Sequence, residues 1–256
     1  MKCRKICIAN HKGGVGKTVT SINLSACLAK EGRKVLLIDL DPQANTTIGL
    51  NFEPEELSYT VFDSLNSSSQ VPIEKVIINS SLKNLWLAPS SIKFAGFEYE
   101  LSKQHNRERI LSQVIAKVTD DFDYTIFDCP PSLGLLTISG LIASTEVIIP
   151  LQSHFFSLRA IEQFMETIDL VNKNLRHALK IHILFTMVEV RTKLSQEVIR
   201  EIKQHFGSSV FKTIIRKNVS LSEATSYGRP IINYAPHSMG AKGYISLARE
   251  VIKSEQ

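Results

Sequence analysis

The stretch that most limits how this chain folds lies near its start. An apolar run over residues 6–10 leads into His11-Lys12-Gly13-Gly14-Val15-Gly16-Lys17-Thr18, and a segment of helical period begins where the glycines end. Glycines at 13, 14 and 16 let the backbone curl with its N–H groups facing one point, and the positive end of the following helix faces the same point. Such a nest takes an anion of phosphate geometry. Lys17 adds an ammonium for the outer phosphate oxygens, and the Thr18 hydroxyl is a hard oxygen ligand suited to Mg²⁺. A strand that turns through glycines into a helix also implies a crossover, and hence a parallel sheet.

The rest of the chain repeats that alternation. Short Ile- and Val-rich runs predict strands at 6–10, 35–39, 85–88, 124–128, 147–150, 181–186 and 211–215, most of them apolar throughout, as strands covered on both faces are. Helical periodicity predicts helices at 17–30 (closed by Gly32), 107–118, 158–172, 195–205 and 241–252. Ser220 and Glu223 have capping-box spacing and predict a short helix there. Residues 51–81, with a polar cluster at 66–69, read as loops and short helices over one sheet edge. The expected class is α/β: a single doubly wound, mostly parallel sheet with helices on both faces. No internal repeat or low-complexity linker divides the chain, so one domain over 1–256 is expected.

Composition excludes other classes. At 256 residues with 43% hydrophobic and 21% charged side chains, the chain can close a large core. No apolar run approaches the ~18 residues of a membrane span, and no secretory leader is evident, so a cytoplasmic protein is expected. Cys3, Cys7, Cys27 and Cys129 lack metal or disulfide spacing and read as buried thiols.

Two further segments carry carboxylates to strand ends. Leu36-Leu37-Ile38-Asp39-Leu40-Asp41-Pro42-Gln43-Ala44-Asn45 closes the second strand, and Asp123-Tyr124-Thr125-Ile126-Phe127-Asp128 closes the fourth predicted one. In open α/β sheets the ligand crevice lies outside the carboxyl ends of the strands, where these aspartates fall. Asp128 is expected to hold Mg²⁺ through water and to orient Thr18, with Asp39 nearer the glycine loop in the same metal shell.

The glycine loop departs from a strict Walker A pattern, having His11 where glycine is usual, and carries Lys12 just ahead of the glycines. In this it resembles the deviant Walker A motif, KGGxGK[ST], of the ParA/MinD group of P-loop ATPases. Asp39-Leu40-Asp41-Pro42-Gln43-Ala44-Asn45 resembles the DxDPQ[GA]N motif of the ParA/Soj branch, Pro130-Pro131-Ser132-Leu133-Gly134 its switch segment, and Ser222-Glu223-Ala224 through Gly228-Arg229-Pro230-Ile231 its late SEA…GxPI pattern. The resemblance runs from Ile6 to Val251. It implies a slow, partner-stimulated ATPase that binds ATP or ADP with Mg²⁺. Lys12, Gly13, Gly14, Val15, Gly16, Lys17, Thr18 and Val19 would lie around the nucleotide. Lys12 would reach the phosphates of a second protomer in an ATP-dependent homodimer, Asp41 would handle the attacking water, and Lys217 and Asn218 would lie by the adenine. A MinD-like role at a membrane surface is the less favoured alternative, because residues 249–256 are neither basic nor rich in Trp, Phe or Leu.

The net charge of +5 is unevenly placed. Residues 171–220 hold ten basic and three acidic side chains, a segment charge of +7 that leaves −2 elsewhere. This is where the resembled family binds DNA without sequence preference. Arg191, Lys193, Arg216 and Lys217 are therefore the expected contacts with double-stranded DNA, on the nucleoid. Ser220 stands where the family commonly has arginine, and Arg216 where it has proline. A ParB-like protein is the expected stimulating partner in chromosome or plasmid partitioning. A ParA-like ATPase that positions a protein cargo is the alternative.

Overall fold

The computed structural model describes residues 3–66, 68–69, 71–96, 106–154, 156–175 and 177–254. Seven strands, β1 (Arg4–Ile8), β2 (Val35–Asp39), β3 (Ile78–Asn79), β4 (Leu85–Ala88), β5 (Tyr124–Asp128), β6 (Glu146–Gln152) and β7 (Lys180–Thr186), form one sheet in the order β3-β4-β2-β5-β1-β6-β7. Every pairing is parallel except β3 with β4.

Strand alternation sorts the apolar side chains into two layers. Ile6, Ile8, Val35, Leu37 and Ile126 pack on one face beneath helices Lys17–Lys30 and Met239–Lys253. Cys7, Leu36, Ile38, Phe127 and Val147 pack on the other, beneath helices Leu135–Ala143 and Ser157–Leu175. Both faces of β2 and β5 are covered, so all five residues of each are buried. A third cluster joins β7 to helix Lys193–Phe206 through Ile183, Phe185, Val198 and Ile202. All four cysteines are buried and free. No helix among the described residues is long and apolar enough to cross a membrane.

β2, β4, β5 and helix Lys17–Lys30 have the predicted bounds. β1 stops at Ile8, and Asn10 turns its amide to the Pro150 carbonyl at 2.8 Å as the glycine loop begins. The strand predicted at 211–215 does not form. Two isolated bridges, Ile183 with Val210 and Val188 with Arg216, flank it. Between them the amides of Lys212 and Thr213 donate to the two carboxylate oxygens of Glu250, at 2.7 and 2.9 Å, instead of to β7. The segment predicted as one helix over 107–118 is a 3₁₀ turn, Arg107–Arg109, followed by helix Ile110–Ile115. The short helix near Ser220 is Val219–Ser226. Its cap is Asn218, whose side-chain oxygen accepts from the Ser220 amide at 2.9 Å, so Ser220 lies inside the helix.

Helix Leu135–Ala143 was not foreseen. It approaches the sheet so closely that a Cβ at Gly140 would stand 2.8 Å from Cys129 Sγ. Within 51–81, β3 adds an antiparallel edge where only loops and helices were expected. Ser67 of the polar cluster and Arg176 of the basic segment lie outside the described residues.

Candidate functional site

The glycine loop joins β1 to the Lys17–Lys30 helix, with Gly14 at φ 71° and Gly16 at φ 86°, in the left-handed region where glycine is unstrained. The amides of Gly14, Val15, Gly16 and Lys17 have no protein acceptor among the described residues. They form the donor-rich end of the helix that an anion would satisfy. Lys17 is 7% exposed, and its ammonium donates to the Lys12 carbonyl at 2.9 Å. Burial lowers the Lys17 pKa, opposed first by the negative charge of Asp128 and also by that of Asp41. The Lys12 amide is held by Asn10 Oδ1 at 3.0 Å.

Three carboxylates gather at the ends of β2 and β5. Asp39 and Asp128 are register partners across the two strands. Asp128 is fully buried and accepts three hydroxyl hydrogen bonds: Thr18 at 2.8 Å and Thr46 at 2.7 Å on Oδ2, and Ser21 at 2.8 Å on Oδ1. Burial raises its pKa, and the three hydroxyls oppose the rise. Asp39 is also fully buried, and burial together with the Asp128 charge raises its carboxyl to about 8. It accepts from the Asp41 amide at 3.1 Å, the Thr47 amide at 2.9 Å and the Thr47 hydroxyl at 2.8 Å. Asp41 accepts from the Gln43 amide at 2.9 Å.

Asp41 lines the same cavity of about 260 Å³ as Gly13, Gly14, Lys17 and Thr18. A second cavity, of about 200 Å³, shares Gly16, Val19 and Met187 with the first and continues to Ile215, Arg216, Lys217, Asn218 and Tyr244. One lobe is thus donor-rich and bordered by carboxylates, and the other has aliphatic and aromatic walls. Together they offer a phosphate end and a base end.

The donors around Thr18 and Asp128 are all oxygens, which suits a hard cation. Among the described residues no group of three or more His, Cys, Asp or Glu forms a self-sufficient metal cage. That agrees with how Mg²⁺ is usually held, by one or two protein oxygens together with phosphates and water.

Of the basic residues, Arg191 and Lys193 are exposed at the start of helix Lys193–Phe206, whose cap is Thr192. Arg216 and Lys217 are exposed at the rim of the second cavity, and Lys217 pairs with Glu189 at 2.6 Å. The structure therefore brings Lys217 and Asn218 together in the wall of the second cavity, and Arg191 and Lys193 do not line it.

Thr46, Thr47 and Ser21 were not foreseen. Thr46 and Thr47 follow the Asp39–Asn45 motif directly, so two adjacent hydroxyls each reaching a strand-end aspartate was the signal available.

A family model described as an AAA domain matches residues 3–181. The sporulation initiation inhibitor protein Soj of Bacillus subtilis is 47% identical over 96% of this chain and 97% of its own length. The chromosome-partitioning ATPase Soj of Treponema pallidum is 43% identical over 97% of each. Among solved structures, cobyrinic acid a,c-diamide synthase of Mycobacterium smegmatis with bound ADP and magnesium is 33% identical, with a TM-score of 0.85 over 99% of this chain and 97% of that one.

Proposed function

The chain belongs to the ParA/Soj family of partitioning ATPases, and from that premise we propose that it cycles between an ATP-bound dimer that coats nonspecific DNA and a weakly binding state reached after hydrolysis. The observation that carries this reading is the meeting of an anion-ready glycine loop with the Thr18–Asp128 pair at one end of a two-lobed cavity.

The open amides of Gly14 to Lys17 and the Lys17 ammonium bind the phosphates, for which Lys17 exchanges its contact with the Lys12 carbonyl. Asn218, Lys217 and Tyr244 border the base. Thr18 and Asp128 would hold Mg²⁺, with Asp39 behind them, and an ion bound there would supply charge neutralisation for the phosphate oxygens. Thr18 keeps its hydrogen on Asp128 and so presents a lone pair outward. Asp41, in the cavity wall with its Oδ1 fixed by the Gln43 amide, orients the attacking water and accepts its proton. Lys12 reaches the phosphates of a second protomer, which makes dimerisation depend on ATP.

Two copies on one duplex double the phosphate contacts offered by Arg191, Lys193, Arg216 and Lys217, so dimerisation turns weak DNA binding into stable binding. A ParB-like partner accelerates hydrolysis and releases the DNA. These steps take place in one domain and place the protein on the nucleoid in the cytoplasm. The test is Mg²⁺-dependent ATP hydrolysis with and without duplex DNA and the partner. Slow turnover that rises when both are added supports the reading, and turnover indifferent to both overturns it.

A further inference from the structure

Two polar residues at the ends of β6 and β7 stand outside every motif of the glycine loop and still grip it. Gln152 and Thr186 are register partners in the sheet. Gln152 Nε2 donates to the Gly14 carbonyl at 2.9 Å, and Thr186 Oγ1 donates to the Val15 carbonyl at 2.8 Å. Neighbouring strand ends therefore hold consecutive carbonyls.

A carbonyl and the N–H of the next residue lie in one peptide plane and point in opposite directions. Fixing the Gly14 carbonyl turns the Val15 amide away from the strand ends, and fixing the Val15 carbonyl does the same for the Gly16 amide. Both amides belong to the set with no protein acceptor. The loop needs such a hold because Gly14 and Gly16 have no Cβ to restrict them and already occupy positive φ. Space does not restrict Gly16: a Cβ there would make ordinary contact, 3.6 Å from Met187 Cε and 3.9 Å from Thr186 Cβ.

We propose that Gln152 and Thr186 are positioning residues that shape the phosphate loop for its ligand before the ligand arrives. They lower the entropy lost on binding and leave the chemical step to the residues inside the cavity. The inference rests on the reading of this loop as the nucleotide site.

The experiment measures ADP affinity by calorimetry, and KM and kcat for ATP, in wild type, Thr186→Val, Thr186→Ser, Gln152→Leu and Lys17→Ala. Thr186→Val keeps the side-chain shape and removes the donor, whereas Thr186→Ser keeps the donor. The expected result is ADP binding about three- to tenfold weaker in Thr186→Val and Gln152→Leu, the loss of one hydrogen bond. KM should rise in step, with kcat within about twofold of wild type and Thr186→Ser restoring affinity. If Thr186→Val and Gln152→Leu bind ADP like wild type while Lys17→Ala loses it, the positioning role is overturned and the nucleotide site stands. If Lys17→Ala binds as tightly as wild type, the site reading itself fails and the inference falls with it.

Discussion

Thr18 and Asp128 are 110 residues apart in the chain and are joined by a 2.8 Å hydrogen bond from the Thr18 hydroxyl to Oδ2 of a carboxylate with no exposed surface. Thr46 donates to the same oxygen at 2.7 Å and Ser21 to the other at 2.8 Å. One side chain at the end of β5 thus sets the first turn of the loop's helix and the segment that follows Asp41.

Replacing Asp128 by Asn removes the charge from an oxygen shared by Thr18 and Thr46 and puts an N–H₂ group where a hydroxyl donates, so Ser21 is left with the Lys17 carbonyl at 3.0 Å. Asp128→Asn should cost about 1–3 kcal/mol of stability. ATP turnover should fall at least 100-fold, and raising Mg²⁺ should not restore it. Thermal melting and an Mg²⁺ titration of turnover check this. Near-wild-type activity would remove Asp128 from the metal role.

Asp41 meets the cavity but lies outside the glycine loop, so its loss should separate binding from turnover. Asp41→Ala should bind ATP, dimerise and remain on DNA with hydrolysis abolished. Lys12→Ala should bind nucleotide and stay monomeric. Sedimentation with ATP, alongside turnover, distinguishes the two, and an ATP-dependent Lys12→Ala dimer would contradict the contact across the interface.

If Arg191 and Lys193 touch phosphates, each lost contact reduces the magnitude of the salt slope of log K by about 0.9. In the ATP-bound dimer the double substitution to Ala removes four contacts and should flatten the slope by about 3.6, while ADP affinity stays as in wild type. An unchanged slope would make these two residues an ordinary solvated face.

At the opposite end of the sheet, Glu146 accepts from Arg4 at 2.6 and 2.7 Å and from His182 at 2.9 Å. Burial by itself would raise the Glu146 carboxyl, but the bonds from His182 and Arg4 hold it down at about 2. A folded-state value below the unfolded one gives stability that is present above about pH 4.5 and lost as pH falls toward 2. Glu146→Gln should be less stable at pH 7, and its unfolding free energy should vary less between pH 4.5 and 2. Denaturant titrations across that range check this, and parallel wild-type and variant curves would refute it.

Gly228 has φ 60°, and a Cβ there would meet Asn51 Cβ at 2.8 Å, Cα at 3.0 Å and N at 3.1 Å. Gly228→Ala combines left-handed strain with a backbone collision. It should cost more than about 2 kcal/mol and lower the melting temperature by roughly 4–8 °C.

What could be read from the chain followed from how locally each feature is encoded. β2, β4 and β5 are continuous apolar runs that stop at turn residues, and they appear with the predicted bounds. The run over 211–215 has the same composition, but Glu250, far along the chain on another helix, takes two of its amides. No local pattern contains that competition. Helix Leu135–Ala143 is covered nearly all round, with every residue from 136 to 143 buried except Ile138, so it has no polar face to set a helical period. In the site, Lys17, Thr18, Asp41 and Asp128 belong to motifs whose spacing carries the chemistry. Thr46, Ser21, Gln152 and Thr186 act through contacts that only the folded sheet creates.

The strand order has a consequence for synthesis. Among the described residues β1 pairs only with β5 and β6, so the strand that launches the glycine loop gains its first such neighbour once residues 124–128 have been made. β2 and β4 can meet earlier, since about 50 residues separate them. At 5–20 residues per second, the glycine-loop motif waits on the order of ten seconds for its first strand partner. Throughout that interval the glycine loop is part of an unpaired segment, with an apolar strand in need of protection and no competence to hold phosphate.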